Sequence, residues 1–119
     1  MTDTIDDMSG LPLLKASDFD GTSLRRDGKV LVFLYAKWCP FCRAACNETD
    51  CIMDKDDYKA FSVDLSDDDN PLWDQLGIDV VPTLIGYENG SEIYRKPGAR
   101  MVGLRRSDFE TADESLSGG

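Results

Sequence analysis

An uninterrupted apolar run at residues 30–36 limits the possible folds more than any other feature of this chain. Its sequence is Val-Leu-Val-Phe-Leu-Tyr-Ala, and it follows the turn residues Asp27 and Gly28. The run is too short to cross a membrane, and a strand that is apolar on both faces belongs at the centre of a sheet with helices packed on each side. The sequence therefore predicts an α/β domain with residues 29–36 as a central strand.

Segments on either side of this run have the patterns of further strands and helices. Four more strands are predicted, at residues 11–14, 58–65, 82–88 and 91–96. Helices are predicted at residues 17–26, from Pro40 to residue 54 or 59, at 72–76 and at 102–116. Pro12 indicates an edge position for the first strand, and Asn89-Gly90 is typical of a two-residue hairpin turn. These elements give a central mixed β-sheet, parallel at first and antiparallel at one edge, flanked by helices on both faces.

Length and charge restrict the domain organisation and the partners. With 119 residues, the chain fits one domain, which we expect to span residues 11–116 between a flexible acidic tail at 1–10 and a frayed end at 117–119. The net charge of −10 opposes binding to nucleic acid or to anionic membranes, because both are negatively charged. The first ten residues lack a basic, apolar leader, so we expect a cytoplasmic protein that works as a monomer. The many aspartates also suggest the hypothesis of a high-salt cytoplasm.

The cysteines mark the candidate reactive site. All four cysteines fall in one short segment, and the absence of histidine excludes imidazole catalysis and histidine-ligated zinc. Cys39 and Cys42 form a Cys-x-x-Cys motif where the central strand gives way to a helix, which is typical of a redox pair. As N-cap residue, Cys39 would accept hydrogen bonds from the first turn and feel the positive end of the helix dipole, which favours its thiolate form. Pro40 suits the first helical position. We therefore predict Cys39 as the nucleophile and Cys42 as the resolving thiol.

Cys46 and Cys51 are expected to have a different role. Cys46 shares a helix face with Cys42, where we expect a small buried apolar residue, and Cys51 falls off that face. A second redox pair of Cys46 with Cys51 requires the helix to break near Asn47. Four sulfurs spread along a continuous helix cannot converge on one ion, so no metal site is predicted.

A second motif suggests different chemistry. Residues 18–22, Asp-Phe-Asp-Gly-Thr, are similar to the signature of haloacid-dehalogenase-type phosphatases, in which the first aspartate ends a buried strand as nucleophile beside a magnesium ion. The residues before it are poor strand formers, so we favour a helix over residues 17–26 that buries Phe19 and Leu24. The phosphatase alternative predicts magnesium-dependent phosphate release that Asp18→Asn abolishes.

Four further features follow one another along the chain. They are Trp38 with the Cys-x-x-Cys motif after a buried strand, Val81-Pro82-Thr83 opening a later strand, the Asn89-Gly90 turn, and Gly98-Ala99. In this order, from about residue 11 to residue 116, they resemble the thioredoxin family. The resemblance implies the thioredoxin fold and thiol–disulfide exchange with protein disulfides. It also implies no cofactor, and recycling by a thioredoxin-reductase-like protein or a low-molecular-weight thiol.

The resemblance also implies a substrate-binding rim around the dithiol. A cis peptide bond before Pro82 would turn the N–H and C=O of Val81 toward an extended substrate segment, which pairs beside Cys39 as an extra strand. The predicted substrate-binding residues are Trp38, Pro40, Phe41, Val81, Pro82, Gly98 and Ala99. Trp73 is predicted to belong to the core first, with the rim as its alternative position.

Two positions depart from thioredoxin. The family has a buried aspartate that accepts the proton of the resolving cysteine; here the residue is Phe33, and its lysine partner aligns with Ser62. The Pro40-Phe41 dipeptide is similar to that of glutaredoxins, but their glutathione-binding Gly-Gly-x-x-Asp signature is not visible near residues 103–108. Two alternatives to a protein-disulfide oxidoreductase therefore stay open: a glutaredoxin-like reductase, and a thioredoxin-fold interaction module with little catalytic turnover.

Overall fold

The fold is described by a computed structural model that covers residues 10–53, 55–99 and 102–117. Six strands are present: β1 (Phe19–Asp20), β2 (Ser23–Leu24), β3 (Lys29–Tyr35), β4 (Lys59–Asp64), β5 (Thr83–Glu88) and β6 (Ser91–Pro97). The α-helices are α1 (Pro40–Ala45), α2 (Leu72–Gln75) and α3 (Arg106–Ser117), and 3-10 helices span Ala16–Asp18 and Cys46–Ile52. The tail predicted at residues 1–10 lies outside the described residues except for Gly10, and so do residues 118 and 119 of the predicted C-terminal end.

The central sheet has the strand order β4-β3-β5-β6. Strand β3 pairs in parallel with β4 and antiparallel with β5, and β5 pairs antiparallel with β6. Residues Asn89 and Gly90 have φ angles of 50° and 90°, as a two-residue turn between twisted strands requires. The mixed sheet, the inner position of β3 and the hairpin are therefore confirmed.

Side chains of β3 alternate between two separate apolar layers. Leu31, Phe33 and Tyr35 pack in one layer with residues of α1 and α3. Val30, Val32 and Leu34 pack in the other layer, with residues of α2 and the β1–β2 hairpin. Because successive strand residues point to opposite faces, an apolar run on β3 is what a sheet covered on both sides demands.

Helix α3 closes the first of these layers. Its buried residues are Phe109, Ala112 and Leu116, as the helical spacing predicts. The helix begins later than predicted, because Gly103 has a φ of +80° and the Asp108 carboxylate accepts the N–H of Arg105 at 2.9 Å. A positive φ cannot be part of an α-helix, so the chain turns before α3 starts.

The segment predicted as a first strand forms a single bridge at the sheet edge. Leu13 bridges Ser62 of β4 in parallel. The N–H of Leu14 donates to the Ser62 carbonyl at 2.8 Å, and the N–H of Ser62 donates to the Pro12 carbonyl at 2.8 Å. The edge position that Pro12 indicates is confirmed, although the pairing is too short to count as a strand.

The helix predicted over residues 17–26 is wrong. The chain forms the short 3-10 helix and then the β1–β2 hairpin, with Gly21 at a φ of +62° in the turn. The Asp18 carboxylate accepts the N–H of Lys15 at 2.7 Å, so this aspartate caps a turn and does not end a buried strand. Phe19 and Leu24 are buried as predicted. The context that the phosphatase motif requires is therefore missing.

The helix that starts at Pro40 is also shorter than predicted. It is α-helical only to Ala45 and continues as a 3-10 helix to Ile52. Side chains of this second part are poor helix formers, and the hydroxyl of Thr49 donates to the Cys46 carbonyl at 3.1 Å. Such local bonds compete with the regular helix ladder, which explains the change of helix type.

Candidate dithiol site

The first turn of α1 presents two thiols at the carboxyl end of β3. Cys39 is the N-cap of α1, with φ −98° and ψ 113°, and Pro40 occupies the first turn. The Sγ of Cys39 accepts the N–H of Cys42 at 3.2 Å. The free N–H groups of a helix start stabilise negative charge on an acceptor. The predicted N-cap position of Cys39 is therefore confirmed.

The two thiols differ in burial. Cys39 is 5% exposed, whereas Cys42 is 0% exposed. Burial raises the pKa of the Cys42 thiol well above its usual range, and a hydrogen bond with Cys39 acts in the same direction. The N–H of Ala36, which lies 3.4 Å from the Cys42 Sγ, acts in the opposite direction but does not outweigh burial. Cys42 is therefore a protonated thiol at neutral pH, and Cys39 is the sulfur that a partner reaches first.

A proline loop lies against the dithiol. The peptide bond between Val81 and Pro82 is cis, as the resemblance implies. The Cys39 thiol donates a long hydrogen bond of 3.6 Å to the Val81 carbonyl. The N–H of Gly98 donates to the Pro82 carbonyl at 2.9 Å, and a Cβ at Gly98 would lie only 2.6 Å from that oxygen. Because glycine has no Cβ, Gly98 permits the close approach of the two backbones.

The predicted rim is only partly assembled around the thiols. Trp38 and Phe41 are 54% and 36% exposed. Ala99 is exposed, and its backbone bonds are to Gly103. Gly103 itself was not anticipated as a site residue: a Cβ there would lie 2.7 Å from the Cβ of Phe41. No sequence pattern indicated this contact, because it joins a residue of α1 to the loop before α3, and the two are far apart along the chain.

Trp73, for which a core position was predicted first and a rim position second, is half-buried beside the dithiol loop. Its ring is parallel to that of Trp38, with 6.4 Å between the centroids and 8° between the planes. Trp73 is partly buried against the α2 layer. The two indoles therefore form one aromatic pair next to Cys39. No sequence pattern indicated their contact, because Trp38 and Trp73 are far apart along the chain.

A hydrogen-bonded group behind Trp38 was likewise missed. The Nε1–H of Trp38 donates to the Ser66 carbonyl at 2.9 Å, and the N–H of Lys37 donates to the Ser66 hydroxyl at 2.7 Å. The Asp64 carboxylate accepts hydrogen bonds from both the N–H and the hydroxyl of Ser66. The same carboxylate pairs with the Lys37 ammonium at 3.6 Å. These contacts hold the Trp38 side chain in place. They are possible because β3 and β4 run parallel, so that the residues after each strand meet at the same edge of the sheet.

Phe33 occupies the position at which the thioredoxin family has a buried aspartate. It is 0% exposed, and its ring lies 5.6 Å from that of Tyr35 and 5.7 Å from that of Phe109. Its strand neighbour Ser62 uses its hydroxyl to bond the Leu11 carbonyl at 3.3 Å. Phe33 therefore belongs to an aromatic cluster in the same apolar layer as Cys42.

Cys46 and Cys51 lie on the 3-10 helix and are half-buried. Cys46 is thus less buried than predicted. Five residues of 3-10 helix separate the two Cα atoms by about 10 Å, whereas a disulfide spans at most about 7 Å. A second redox pair is excluded in this fold.

Within the described ranges, no three cysteine or acidic residues are grouped to hold a metal ion. Over the same residues, every helix is too short or too polar to span a membrane.

A dithiol at a helix start, facing a cis-proline loop from the end of a central strand, defines a class of thiol–disulfide oxidoreductases. A sequence model described as Thioredoxin matches residues 11–107. The chain is 32% identical over 93 residues to Thioredoxin of Synechocystis sp., covering 77% of this chain and 87% of that protein. Thioredoxin 1 of Nostoc sp. matches with the same identity and coverage.

Comparison of structures gives the same fold. Thioredoxin f2 of Chlamydomonas reinhardtii superposes with a TM-score of 0.70 at 23% identity, covering 89% of this chain and 95% of that one. The chain belongs to the thioredoxin family and has the thioredoxin fold.

Proposed function

We propose that Cys39 is the nucleophile and Cys42 the resolving thiol of this thiol–disulfide oxidoreductase. One observation carries the proposal: the Cys39 Sγ caps α1, accepts the Cys42 N–H at 3.2 Å and lies 3.6 Å from the Val81 carbonyl. The first-turn N–H of Cys42 points at this sulfur, and the thiolate is the form of cysteine that attacks disulfides. The neighbouring backbone of Val81 supports pairing of an extended substrate strand at the same place.

The reaction exchanges one disulfide for another. The Cys39 thiolate attacks one sulfur of the substrate disulfide, forming a mixed disulfide and releasing the other substrate sulfur as a thiolate. Cys42 then loses its proton and attacks the Cys39 sulfur, which forms the Cys39–Cys42 disulfide and releases the second substrate sulfur. Two electrons and two protons pass to the substrate, which leaves as two thiols. The protein is oxidised and must be reduced again by a thiol.

The proton of Cys42 needs an acceptor other than a carboxylate. Burial raises the pKa of the Cys42 thiol, and Phe33 takes the place of the acid that would receive the proton. The substrate thiolate released in the first step is the base we assign to this transfer, because the exchange itself supplies it and a cysteine thiolate accepts a proton near neutral pH. Resolution is then coupled to departure of the substrate.

The partners follow from this chemistry. The substrates we propose are protein disulfides, and the electron donor is a thioredoxin-reductase-like protein or a low-molecular-weight thiol. A net charge of −10 argues against nucleic acid or anionic lipid as a partner. We propose that the protein acts as a monomer in the cytoplasm, where thiols are kept reduced.

Reduction of insulin disulfides with dithiothreitol as electron donor tests the assignment. Cys39→Ser should lower the rate by about 10³-fold or more, because the nucleophile is removed. The matched control is Cys51→Ser, which removes a thiol from the neighbouring helix and should leave the rate unchanged. Cys42→Ser should accumulate the mixed disulfide with insulin, detected by mass spectrometry. If Cys39→Ser reduces insulin as fast as the unmodified protein does, Cys39 is not the nucleophile; if neither protein exceeds the rate of dithiothreitol alone, the interaction-module alternative holds.

A further inference from the structure

We infer that the aromatic pair of Trp38 and Trp73 makes this oxidoreductase select disulfides that are flanked by arginine or lysine. The inference rests on the proposed function and adds a substrate class to it. Three observations carry it: the stacking of the two indoles, the use of their N–H groups, and the charge of the loop that holds them.

The stacked rings offer an aromatic surface beside the nucleophile. Their planes differ by 8° with 6.4 Å between centroids, which is an offset arrangement that leaves part of each face uncovered. Trp38 remains 54% exposed despite the stacking. Because Trp38 directly precedes Cys39, a group on this surface lies within a few residues of the substrate cysteine. The pair is therefore placed to read the flanking sequence of a disulfide.

Both indole N–H groups are already bonded to the protein. Trp38 donates to the Ser66 carbonyl at 2.9 Å and Trp73 donates to the Asp67 carbonyl at 3.2 Å. The exposed part of the pair consequently has no hydrogen-bond donor for a substrate carboxylate or carbonyl. What remains is the electron-rich face of the rings, which attracts ammonium and guanidinium groups. The same two bonds hold both rings to a single loop, so the surface is preformed.

The charged side chains around the pair are mostly acidic, with Lys37 and Arg43 as the nearby cations; the Arg43 guanidinium donates to the Lys37 carbonyl at 3.0 Å. The exposed residues of this loop and the adjoining helix include four aspartates: Asp67, Asp68, Asp69 and Asp74. Within the part of the chain that the structure describes, no lysine or arginine forms an ion pair with these carboxylates. The neighbouring ammonium of Lys37 pairs with Asp64 at 3.6 Å. A cationic side chain on the rings is therefore attracted by the loop, and an acidic one is repelled.

Three disulfide peptides of equal length test the inference. Their cysteines are flanked by arginine, glutamine or glutamate, and reduction by the reduced protein is followed at low ionic strength. We expect the arginine peptide to react about 10-fold or more faster than the glutamate peptide, and the preference to fall at high salt. Trp73→Ala and the pair Asp68→Asn with Asp69→Asn should each remove most of this preference, chiefly through KM. For the aspartate variant, reduction of the glutamine peptide should stay within about twofold of the unmodified protein. Circular dichroism checks that both variants are folded.

A matched control separates the local surface from net charge. Asp56→Asn with Asp57→Asn changes the total charge equally, but these exposed residues precede β4 and so lie at the opposite end of the sheet from the dithiol. This control should keep the full preference. If it loses the preference as the loop variant does, or if the unmodified protein reduces all three peptides equally, the inference is overturned. If none of the peptides is reduced, the proposed function itself fails.

Discussion

The two halves of the cysteine segment contain the same residue type in different surroundings. In residues 39–45 the thiols lie at the start of an α-helix, and Cys39 faces the backbone of Val81. In residues 46–52 the thiols lie within a 3-10 helix and are half-buried. The two pairs of thiols therefore differ in two features, the free helix terminus and the facing loop of Val81, and these features, more than the cysteines alone, distinguish the proposed reactive site.

The second half instead attaches the terminal helix. Arg106 at the start of α3 pairs with Glu48 at 2.8 Å and with Asp50 at 3.3 Å. Asp50 adjoins Cys51, so the second thiol lies in an electrostatic junction between helices. The first half thus contains the proposed reactive thiols, and the second half contacts α3.

Alkylation should separate the fully buried Cys42 of the first half from the half-buried Cys51 of the second. In a Cys39→Ser background, we expect iodoacetamide to modify Cys42 about 100-fold or more slowly than Cys51, because Cys42 is inaccessible and keeps its proton. Mass spectrometry of peptides measures both rates in one sample. The two thiols should react alike in guanidinium chloride. Equal rates in the folded protein would contradict the difference in burial.

The packing of Gly103 on Phe41 gives the next effect. Gly103→Ala introduces a Cβ 2.7 Å from the Phe41 Cβ at a φ of +80°. We expect the free energy of unfolding to fall by about 2–4 kcal/mol, from backbone strain and overpacking together. Gly77→Ala is the matched control, because Gly77 has a φ of +64° but open space around its Cα. That control should cost only about 1–2 kcal/mol in chemical denaturation. Similar losses for both variants would mean that the contact with Phe41 is not tight.

The buried thiol should also make stability depend on pH. Burial raises the pKa of Cys42 above its ordinary value of 9.0, so in alkali the unfolded chain loses a proton that the folded protein keeps. Stability that is present below about pH 9 is then lost as the pH rises, by at most about 1.4 kcal/mol per unit. Urea unfolding of the reduced protein between pH 8 and 10 measures the slope. Cys42→Ala should flatten it more than Cys51→Ala does; equal slopes for both variants would argue against a special environment for Cys42.

The smallest effect is expected at the junction of the second half. Arg106→Gln removes exposed ion pairs, which contribute little to stability and are screened by salt. We expect a slight decrease in melting temperature at low salt that disappears at high salt, with insulin reduction unchanged. Differential scanning calorimetry at two salt concentrations checks this. A large decrease that persists in salt would show that the junction does more than hold α3.

Features set by neighbouring residues were predictable from the sequence. The apolar run of β3, the N-cap position of Cys39 and the Asn89-Gly90 turn each depend on a few adjacent residues. Their chemistry acts locally, so pattern and structure agree. The burial of Phe19 also followed from its apolar character, although the element that contains it did not.

The features that were not predicted depend on competition between local structures or on contacts between distant residues. A helix pattern over residues 17–26 was overridden by Gly21, whose positive φ fits a hairpin turn. The helix after Pro40 changed type where local side-chain bonds compete with the ladder. The stacking of Trp73 on Trp38 requires the loop after β4 to meet the loop after β3, a relation that only the folded sheet creates.

The bridge at Leu13 has a consequence for behaviour at high concentration. The outer edge of β4 is partly closed by residues 12–14, which take up hydrogen bonds of Ser62. The opposite edge strand, β6, carries Glu92, Arg95 and Lys96 and ends at Pro97. Closed or charged edges disfavour pairing between strands of separate molecules. Residues 12–14 therefore help to protect the sheet from aggregation, independently of the chemistry at the thiols.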